Sequence, residues 1–536
     1  MLTMEIICLL ILMFNADEYY KNFCLNCHGD VLGKEKGKTY PIIFLPGSLI
    51  KEVTKTGFLP FMPPFQLTEE QLDELTKYIT ENSKQIYNID ENEINSSITT
   101  ISIITPTFNK IGNSQLIKQQ DENKIKSNSK SHVKDITVFV ERGEDKIWII
   151  DGKEVKTIFT FPNVHGGIKF WSSGFIIPSR GGELGQYFLN EGILKKVNVC
   201  QVIKNVEVLE EESKIFVSCS IPPAIIILDA QTLKVKSIIN LHFQPVSVVK
   251  TKNNKVVVIL PDSIGIIKSN GELLFHRVPQ NIVSVLVEPF GEFIFLGRVQ
   301  SIEVIGPEFN EVFSIKTTSP PHFFSSAFWY DKGSFYTAIP YLNSIIIVKM
   351  FDWEIVKSIN FPDFVFFVRT HPNTNYLWAD SGGYIYLINK YTFDVRRIEI
   401  SGKEFHTEFS SDGSLAFITS RGENGGIIIL DTATQKELSR FKAKNPAGKY
   451  NLSLRTKPLA LLGFDIYKSK CWGCHHPTKA AFGPPLSAMN EAMIRAQINH
   501  PKDKMPKIDL SEREIEALVE FVKNLKHFFD LSENQN

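Results

Sequence analysis

Two short strings carry the same three chemical groups at the same spacing. They are CLNCH, with Cys24, Cys27 and His28, and CWGCH, with Cys471, Cys474 and His475. Two thiols three residues apart on one helical turn can add to the two vinyl groups of a heme, and the adjacent imidazole then falls beneath the iron as an axial ligand. Iron needs a sixth ligand. Met62 follows His28 by 34 residues, in FLPFMPPFQLTEEQ, and Met505 follows His475 by 30, in KDKMPKIDLSEREIE. Each methionine is followed by Pro and precedes an amphipathic helical pattern. A lone CxxCH also occurs as a zinc or redox motif. Two copies, each with a Met-Pro and a closing helix, are much more specific. His/Met ligation raises a heme potential, which suits electron acceptance and transfer. His476 and His500 read as surface residues.

The elements that must hold these groups are legible. LTEEQLDELTKYI places Leu67, Leu72, Leu75 and Ile79 on one helical face, and Thr68 with Gln71 is an N-terminal capping signal. SEREIEALVEFVKNL repeats that pattern near the other end. Both units resemble class I cytochrome c. The resemblance implies His28 and His475 as proximal ligands, Met62 and Met505 as distal ones, and two covalent c-type hemes. Covalent attachment of this kind takes place outside the cytoplasm. An apolar run from Ile6 to Phe14, too short to span a bilayer as a helix, reads as a signal peptide with a cut near Ala16. A periplasmic protein with no stable membrane span after signal removal is therefore expected.

The chain has 536 residues, 43% hydrophobic and 22% charged, with zero formal net charge. That is ordinary globular composition and argues against nucleic acid as a partner. Of seven cysteines, Cys200 and Cys219 stand apart in the middle and read as buried structural thiols, with a disulfide between them as the lesser alternative.

Between the two cytochrome units the texture changes. Residues 83–134 are rich in Asn, Ser, Lys and Gln and read as a linker, mobile at least in part. From 135 to 455, short runs of Val, Ile and Phe alternate with turns. Units begin near Ile136, His165, Asn205, Pro245, Ile282, His322, Phe364 and Phe405, at a period of about 40 residues, shorter for the first. Four-stranded repeats at that period predict a β-propeller of eight blades, with seven blades or a β-sandwich as alternatives. The expected organisation is a signal peptide over 1–16, a cytochrome c domain over 17–82, the linker, a propeller over 135–455 and a second cytochrome c domain over 456–536. The fold class is thus multidomain, an all-β eight-bladed propeller flanked by two small all-α cytochrome c domains.

Four histidines, His165, His322, His371 and His406, fall at the start of blades' first strands in this reading. Singly, each is more often a hydrogen-bonded core residue. Together, at equivalent repeat positions, they favour a site on the propeller axis. The strings VERGEDKIWIIDG, VHGGIKFWSSG, PSRGGEL, FFVRTHPNTNYLWAD, FHTEFSSDG and NPAGKYNLSL resemble the proteins whose eight-bladed propeller binds heme d1. That group includes cytochrome cd1 nitrite reductase and dihydro-heme d1 dehydrogenase, which completes heme d1 synthesis.

The resemblance implies one non-covalent heme d1, or its dihydro precursor, with His165 as its proximal ligand. His322 and His371 match the distal-side histidines of the nitrite reductase, and His322 also matches a distal ligand in the dehydrogenase. His406 is found in the dehydrogenase pattern and not in the reductase. The main expectation is therefore an oxidoreductase that turns a propionate of the macrocycle into an acrylate. His406 would be the base, Tyr450 a carboxylate-positioning residue, and Arg142 and Arg180 partners of heme carboxylates. The alternatives are a nitrite reductase producing nitric oxide and a non-enzymatic electron or heme carrier. Small periplasmic redox proteins and proteins of heme d1 synthesis are the expected partners. PHFFSS lacks the glycines of the family pattern after its His, SRGG replaces SRDG, and the C-terminal cytochrome is an addition to both relatives.

Overall fold

The computed structural model describes residues 14–33, 37–83, 89–103, 135–268, 271–400, 403–422, 425–502 and 504–529. Most of the expected signal peptide, and residues 84–88 and 104–134 of the expected linker, lie outside the described residues.

Among the described residues, eight antiparallel sheets follow one another along the middle of the chain, seven of four strands and one of five. The protein is an eight-bladed β-propeller with small helical cytochrome c domains at both ends. Burial within a blade follows from composition. Strands such as Ile136–Glu141 (ITVFVE) are buried at every residue, whereas last strands such as Glu354–Asn360 (EIVKSIN) are almost wholly exposed. Near-continuous apolar runs belong where both faces are covered, and mixed runs where one edge meets water.

The first repeat is short because its innermost strand comes from the far end of the propeller. Pro446–Asn451 pairs with Ile136–Glu141, bringing Tyr450 opposite Val138. Asn451, fully buried, fixes this closure by donating to Asp135 Oδ1 at 2.9 Å and to Thr137 Oγ1 at 3.0 Å.

The chain divides into two compact units. The first comprises 1–98, 180–184 and 196–324. It contains helices α1 (Ala16–Phe23), α2 (Leu25–His28), α3 (Gly47–Thr56), α4 (Glu69–Asn82) and α5 (Glu91–Ser96), with the sheets over 202–240, 247–277 and 282–316. Its cytochrome shares a core with a blade, since Tyr20, Ile43 and Leu75 cluster with Val202 and Ile221. Gln244 donates its amide to the carbonyls of Pro41, at 2.8 Å, and Ile43. Cys200 and Cys219 form a disulfide, correcting the expectation of two separate thiols; their Cα atoms are 6.3 Å apart, within bridging range. The expected linker is also more structured than its polar composition suggests. α5 lies in it, and Thr99–Ser102 joins a blade as a fifth strand.

The second unit comprises 99–179, 185–195 and 325–536. It includes the blades over 327–360, 365–398 and 403–441, the closing blade, and helices α6 (Leu452–Thr456), α7 (Pro458–Lys470), α8 (Glu491–Asn499) and α9 (Glu512–Lys523). Helices α7 and α9 cross at Gly463, where any side chain would collide with the Ala517 carbonyl. The rings of Phe464 and Phe521 stack there at 5.1 Å. Both predicted capping boxes are present, Thr68 with Gln71 on α4 and Ser511 with Glu514 on α9.

Candidate functional site

The two CxxCH strings have nearly identical local structure. A helix ends at the first cysteine, whose N–H returns to the carbonyl of Tyr20 in one copy and Tyr467 in the other, at 2.8 Å in both. The tyrosine hydroxyls reach back to the end of the string, Tyr20 to the Gly29 carbonyl at 2.7 Å and Tyr467 to the His475 carbonyl at 2.8 Å. Most telling, Nδ1 of His28 donates to the Tyr40 carbonyl and Nδ1 of His475 to the Pro484 carbonyl, each at 2.9 Å. That bond fixes the tautomer and leaves Nε2 as the lone-pair nitrogen a metal needs. Burial lowers the pKa of His28, which also favours the neutral ligand form.

The donor set fits a c-type heme. Large apolar side chains are exposed in both units, Phe23 and Phe61 in the first copy, Trp472 and Phe482 in the second. A porphyrin would cover such surface. Met62 lies in a tight hairpin, where its N–H and carbonyl both pair with Phe58 between α3 and α4. Met505 lies between α8 and α9. His500 is exposed at the end of α8, and His476 accepts the N–H groups of Thr478 and Lys479 at 3.1 Å in a turn.

In the second unit the innermost strands of three blades bring a charged cluster together. Tyr450, on Pro446–Asn451, accepts the Gly167 N–H through its hydroxyl at 2.7 Å, which places the phenol against the loop that begins with His165. A side chain at Gly166 would run into that hydroxyl, so the glycine allows the approach. Arg455, on α6, lies 5.3 Å from the Tyr450 ring centre and pairs with Glu408 at 2.9 Å. Arg369 donates to the Ser326 carbonyl at 3.1 Å, and burial together with Arg455 pushes its pKa down to about 9.

His406 sits in the middle of Lys403–Phe409. Its ring centre is 3.6 Å from that of Phe367, its Nδ1–H donates to the Ala447 carbonyl at 3.3 Å, and Nε2 faces Asp380 Oδ2 at 3.9 Å. The two side chains are only 12% and 9% exposed, so little water screens them. Asp380 accepts the Phe367 N–H at 2.6 Å and the Phe366 N–H at 3.3 Å. Burial nevertheless raises its pKa to about 7. Lys449 lies over the Phe367 ring at 4.4 Å, and burial, then Arg369, pull its pKa well down.

Asp380, Lys449, Arg369, Glu408 and Arg455 were not singled out from the sequence. Asp380 ends YLWAD and Lys449 lies within AGKYN, but a single carboxylate or ammonium in a strand carries no motif.

The four histidines do not share one position in their repeats. His165 precedes the first strand of its blade (Lys169–Trp171), and His322 precedes Ala327–Asp331. His406 lies within its strand, and His371 follows its strand, Val365–Arg369. His371 is wholly buried. Its Nε2–H donates to the Ser411 carbonyl and its Nδ1 accepts the Asn373 N–H, both at 3.1 Å. Burial drives its pKa down to about 3, so the ring stays neutral while it ties the Ser411 and Asn373 backbone together. Arg142 sits where the closing strand begins, its N–H donating to the Asn445 carbonyl at 2.9 Å. Arg180 belongs to the first unit, where its guanidinium lies over the Tyr40 ring at 4.4 Å, with Lys204 on that same ring at 3.8 Å.

A β-propeller of eight blades carrying a buried imidazole–carboxylate pair, flanked by helical units built around CxxCH, is a heme-type redox protein. The chain matches the cytochrome D1 heme domain model over 131–264 and 307–455, more than half its length, and belongs to that family. The model for subunit III of cbb3-type cytochrome c oxidase matches at both ends, over 15–79 and 459–522. The chain is 27% identical over 347 residues to the dihydro-heme d1 dehydrogenase of Pseudomonas aeruginosa, covering 59% of this chain and 70% of the relative. The solved structure of dihydro-heme d1 dehydrogenase NirN in complex with DHE has a similar fold, with a TM-score of 0.60, 22% identity, and coverage of 82% of this chain and 99% of that one.

Proposed function

We propose that the protein oxidises dihydro-heme d1 to heme d1 and passes the electrons to c-type hemes held by Cys24, Cys27, His28 and Met62 and by Cys471, Cys474, His475 and Met505. The substrate loses two C–H hydrogens as a propionate CH2–CH2 becomes CH=CH. By resemblance, His165 would hold the iron of the macrocycle. Tyr450, whose hydroxyl already accepts the Gly167 N–H, keeps its own proton to donate to a carboxylate. The cationic neighbours Arg369 and Arg455 suit a carboxylate-bearing ligand, with Arg142 as a further candidate.

His406 takes the proton. With Nδ1–H held by the Ala447 carbonyl, Nε2 is the basic atom, and the Asp380 carboxylate 3.9 Å away stabilises the imidazolium as it forms. This pairing of a low-dielectric imidazole with a carboxylate is the observation that carries the reading. The nitrite reductase alternative needs a second proton donor at His371, and that ring is engaged through both nitrogens and stays neutral.

The Cys200–Cys219 disulfide and thiol-attached heme both suit an exported, periplasmic protein. Among the described residues, no helix is long and apolar enough to cross a membrane. Small periplasmic redox proteins are the partners this reading calls for.

The test is conversion of added dihydro-heme d1 by the protein carrying its c hemes and supplied with an electron acceptor, followed by mass spectrometry of the extracted macrocycle. The expected product lacks two hydrogens. A macrocycle that binds and is recovered unchanged overturns the reading.

A further inference from the structure

The C-terminal cytochrome is joined to the propeller with almost no free chain. Pro446–Asn451 runs directly into α6, and Lys457 alone separates α6 from α7. Leu454 of α6 lies in the core of a blade, and the Ser453 hydroxyl is 3.1 Å from His527 Nδ1.

The facing surfaces are keyed by polar groups whose partners lie across the junction. Asp465 of α7 accepts the Tyr330 N–H at 3.4 Å, and the Tyr330 hydroxyl bonds to Glu514 of α9. The other oxygen of Glu514 accepts the Ser511 N–H at 2.7 Å, so the capping residue of α9 also serves the interface. Lys468 donates to the Pro372 carbonyl at 3.2 Å and to Asn373 Oδ1 at 3.1 Å. Tyr330 and Glu514 are at most 5% exposed. Buried charges are tolerated only with well-placed partners, so these contacts define a single docked register.

An aromatic series crosses the same junction. From the strand that carries His406, Phe409 lies 6.1 Å from His371, His371 lies 6.2 Å edge-on to Phe464, and Phe464 lies 6.3 Å from Tyr467. The Tyr467 hydroxyl then binds the carbonyl of His475, the proximal ligand proposed above.

We infer that the C-terminal cytochrome is a permanently docked electron acceptor of the propeller, so that the two c hemes together take both electrons of one propionate-to-acrylate oxidation before any outside acceptor is met. The inference rests on the proposed reaction. Two C–H bonds break and one C=C π bond forms. One proton goes to His406 and one to solvent, and two ferric c hemes each become ferrous.

In the first experiment, oxidised protein with both c hemes is mixed anaerobically with one equivalent of dihydro-heme d1 and no other acceptor. The expected result is two reduced c hemes per acrylate formed. Product that forms only when an external acceptor is added, or one reduced heme per product, overturns the inference. No product even with an acceptor overturns the proposed reaction instead. Docking is read separately on protein carrying c hemes only, by amide exchange over 370–375 and α7. Asp465→Lys with Lys468→Glu should speed exchange about tenfold there while the c-heme spectrum stays intact. Unchanged exchange overturns the docking. If the double variant does not fold, Tyr330→Phe, which removes one hydrogen bond, is measured the same way and should give a smaller rise over the same segments.

Discussion

Asp380 Oδ2 stands 3.9 Å from Nε2 of His406, inside a cage closed by the Phe367 ring and the Lys449 ammonium. A base in that setting depends on the carboxylate for the stability of its protonated form. His406→Ala should lower the rate of macrocycle oxidation by about 10²–10⁴ with macrocycle binding retained. Asp380→Asn should lower the rate less and move the acidic limb of the kcat/KM profile to lower pH, because the imidazolium loses its partner. Nitrogen-15 spectra of His406 in protein without the macrocycle give a second reading. If its titration is the same in Asp380→Asn as in the parent, the carboxylate is not its partner.

Asp380 also affects stability, in a definite direction. Burial raises its folded pKa to about 7 from the ordinary aspartate value of 3.8, so the folded state holds the proton more tightly than the unfolded one. Its contribution is complete below about pH 4 and is lost as pH rises through about 7. Urea unfolding of Asp380→Asn should therefore depend less on pH over this window than unfolding of the parent.

His371 works in the opposite sense. Its folded pKa is depressed to about 3 from 6.5 by burial, so the unfolded chain binds the proton first as pH falls. Its contribution is full above about pH 6.5 and drains away toward pH 3, on the order of 5 kcal/mol in all. Gly413, at φ +72°, packs against this ring, and any side chain there would strike it. Gly413→Ala should lower the melting temperature, and His371→Ala should flatten the acid limb of the stability curve. A His371→Ala curve parallel to the parent's between pH 6.5 and 4 would assign the acid sensitivity to other groups.

Much of this architecture was readable beforehand, for identifiable reasons. The propeller announces itself because each blade repeats the same apolar strands and turns, and the short first repeat reflects the strand donated by Pro446–Asn451. The CxxCH strings, the Met-Pro pairs and both capping boxes are local in sequence, and the structure places them on the expected elements. The register of the histidines was not readable. Asp380 captures the N–H groups of Phe366 and Phe367 and breaks the pairing register between Val365 and Val368, and His371 lies beyond the end of that strand. The Asp380–His406 pair joins different blades, which no short-range pattern can encode. The Cys200–Cys219 bond is not legible because spacing alone does not tell a pair of buried thiols from a bridge.

That bridge closes a loop with a sequence separation of 19, on a blade whose neighbouring residues Val202 and Ile221 pack against the first cytochrome. A loop of this size is worth about 3 kcal/mol through the unfolded chain. Cys200→Ser with Cys219→Ser should lower the unfolding free energy by that amount, and the unfolding midpoint with it, while c-heme attachment at Cys24 and Cys27 is unaffected. An unchanged midpoint would mean that the bridge is not formed in the folded protein.

The methionines make the last prediction. Met62 and Met505 sit on unrelated loops, yet each stands just ahead of a capped helix and follows a histidine whose Nδ1–H is held by a carbonyl at 2.9 Å. If each thioether is the sixth ligand, replacing it with the stronger donor imidazole stabilises ferric iron and lowers that heme's potential. Met62→His should therefore lower one of the two c-heme potentials and leave the other in place, and Met505→His should do the reverse. Spectroelectrochemical titration of protein without the macrocycle resolves the two. Should neither potential move, the sulfur atoms are packing residues and the iron takes its sixth ligand elsewhere; should both move together, the two hemes are coupled more tightly than separate ligand sets imply.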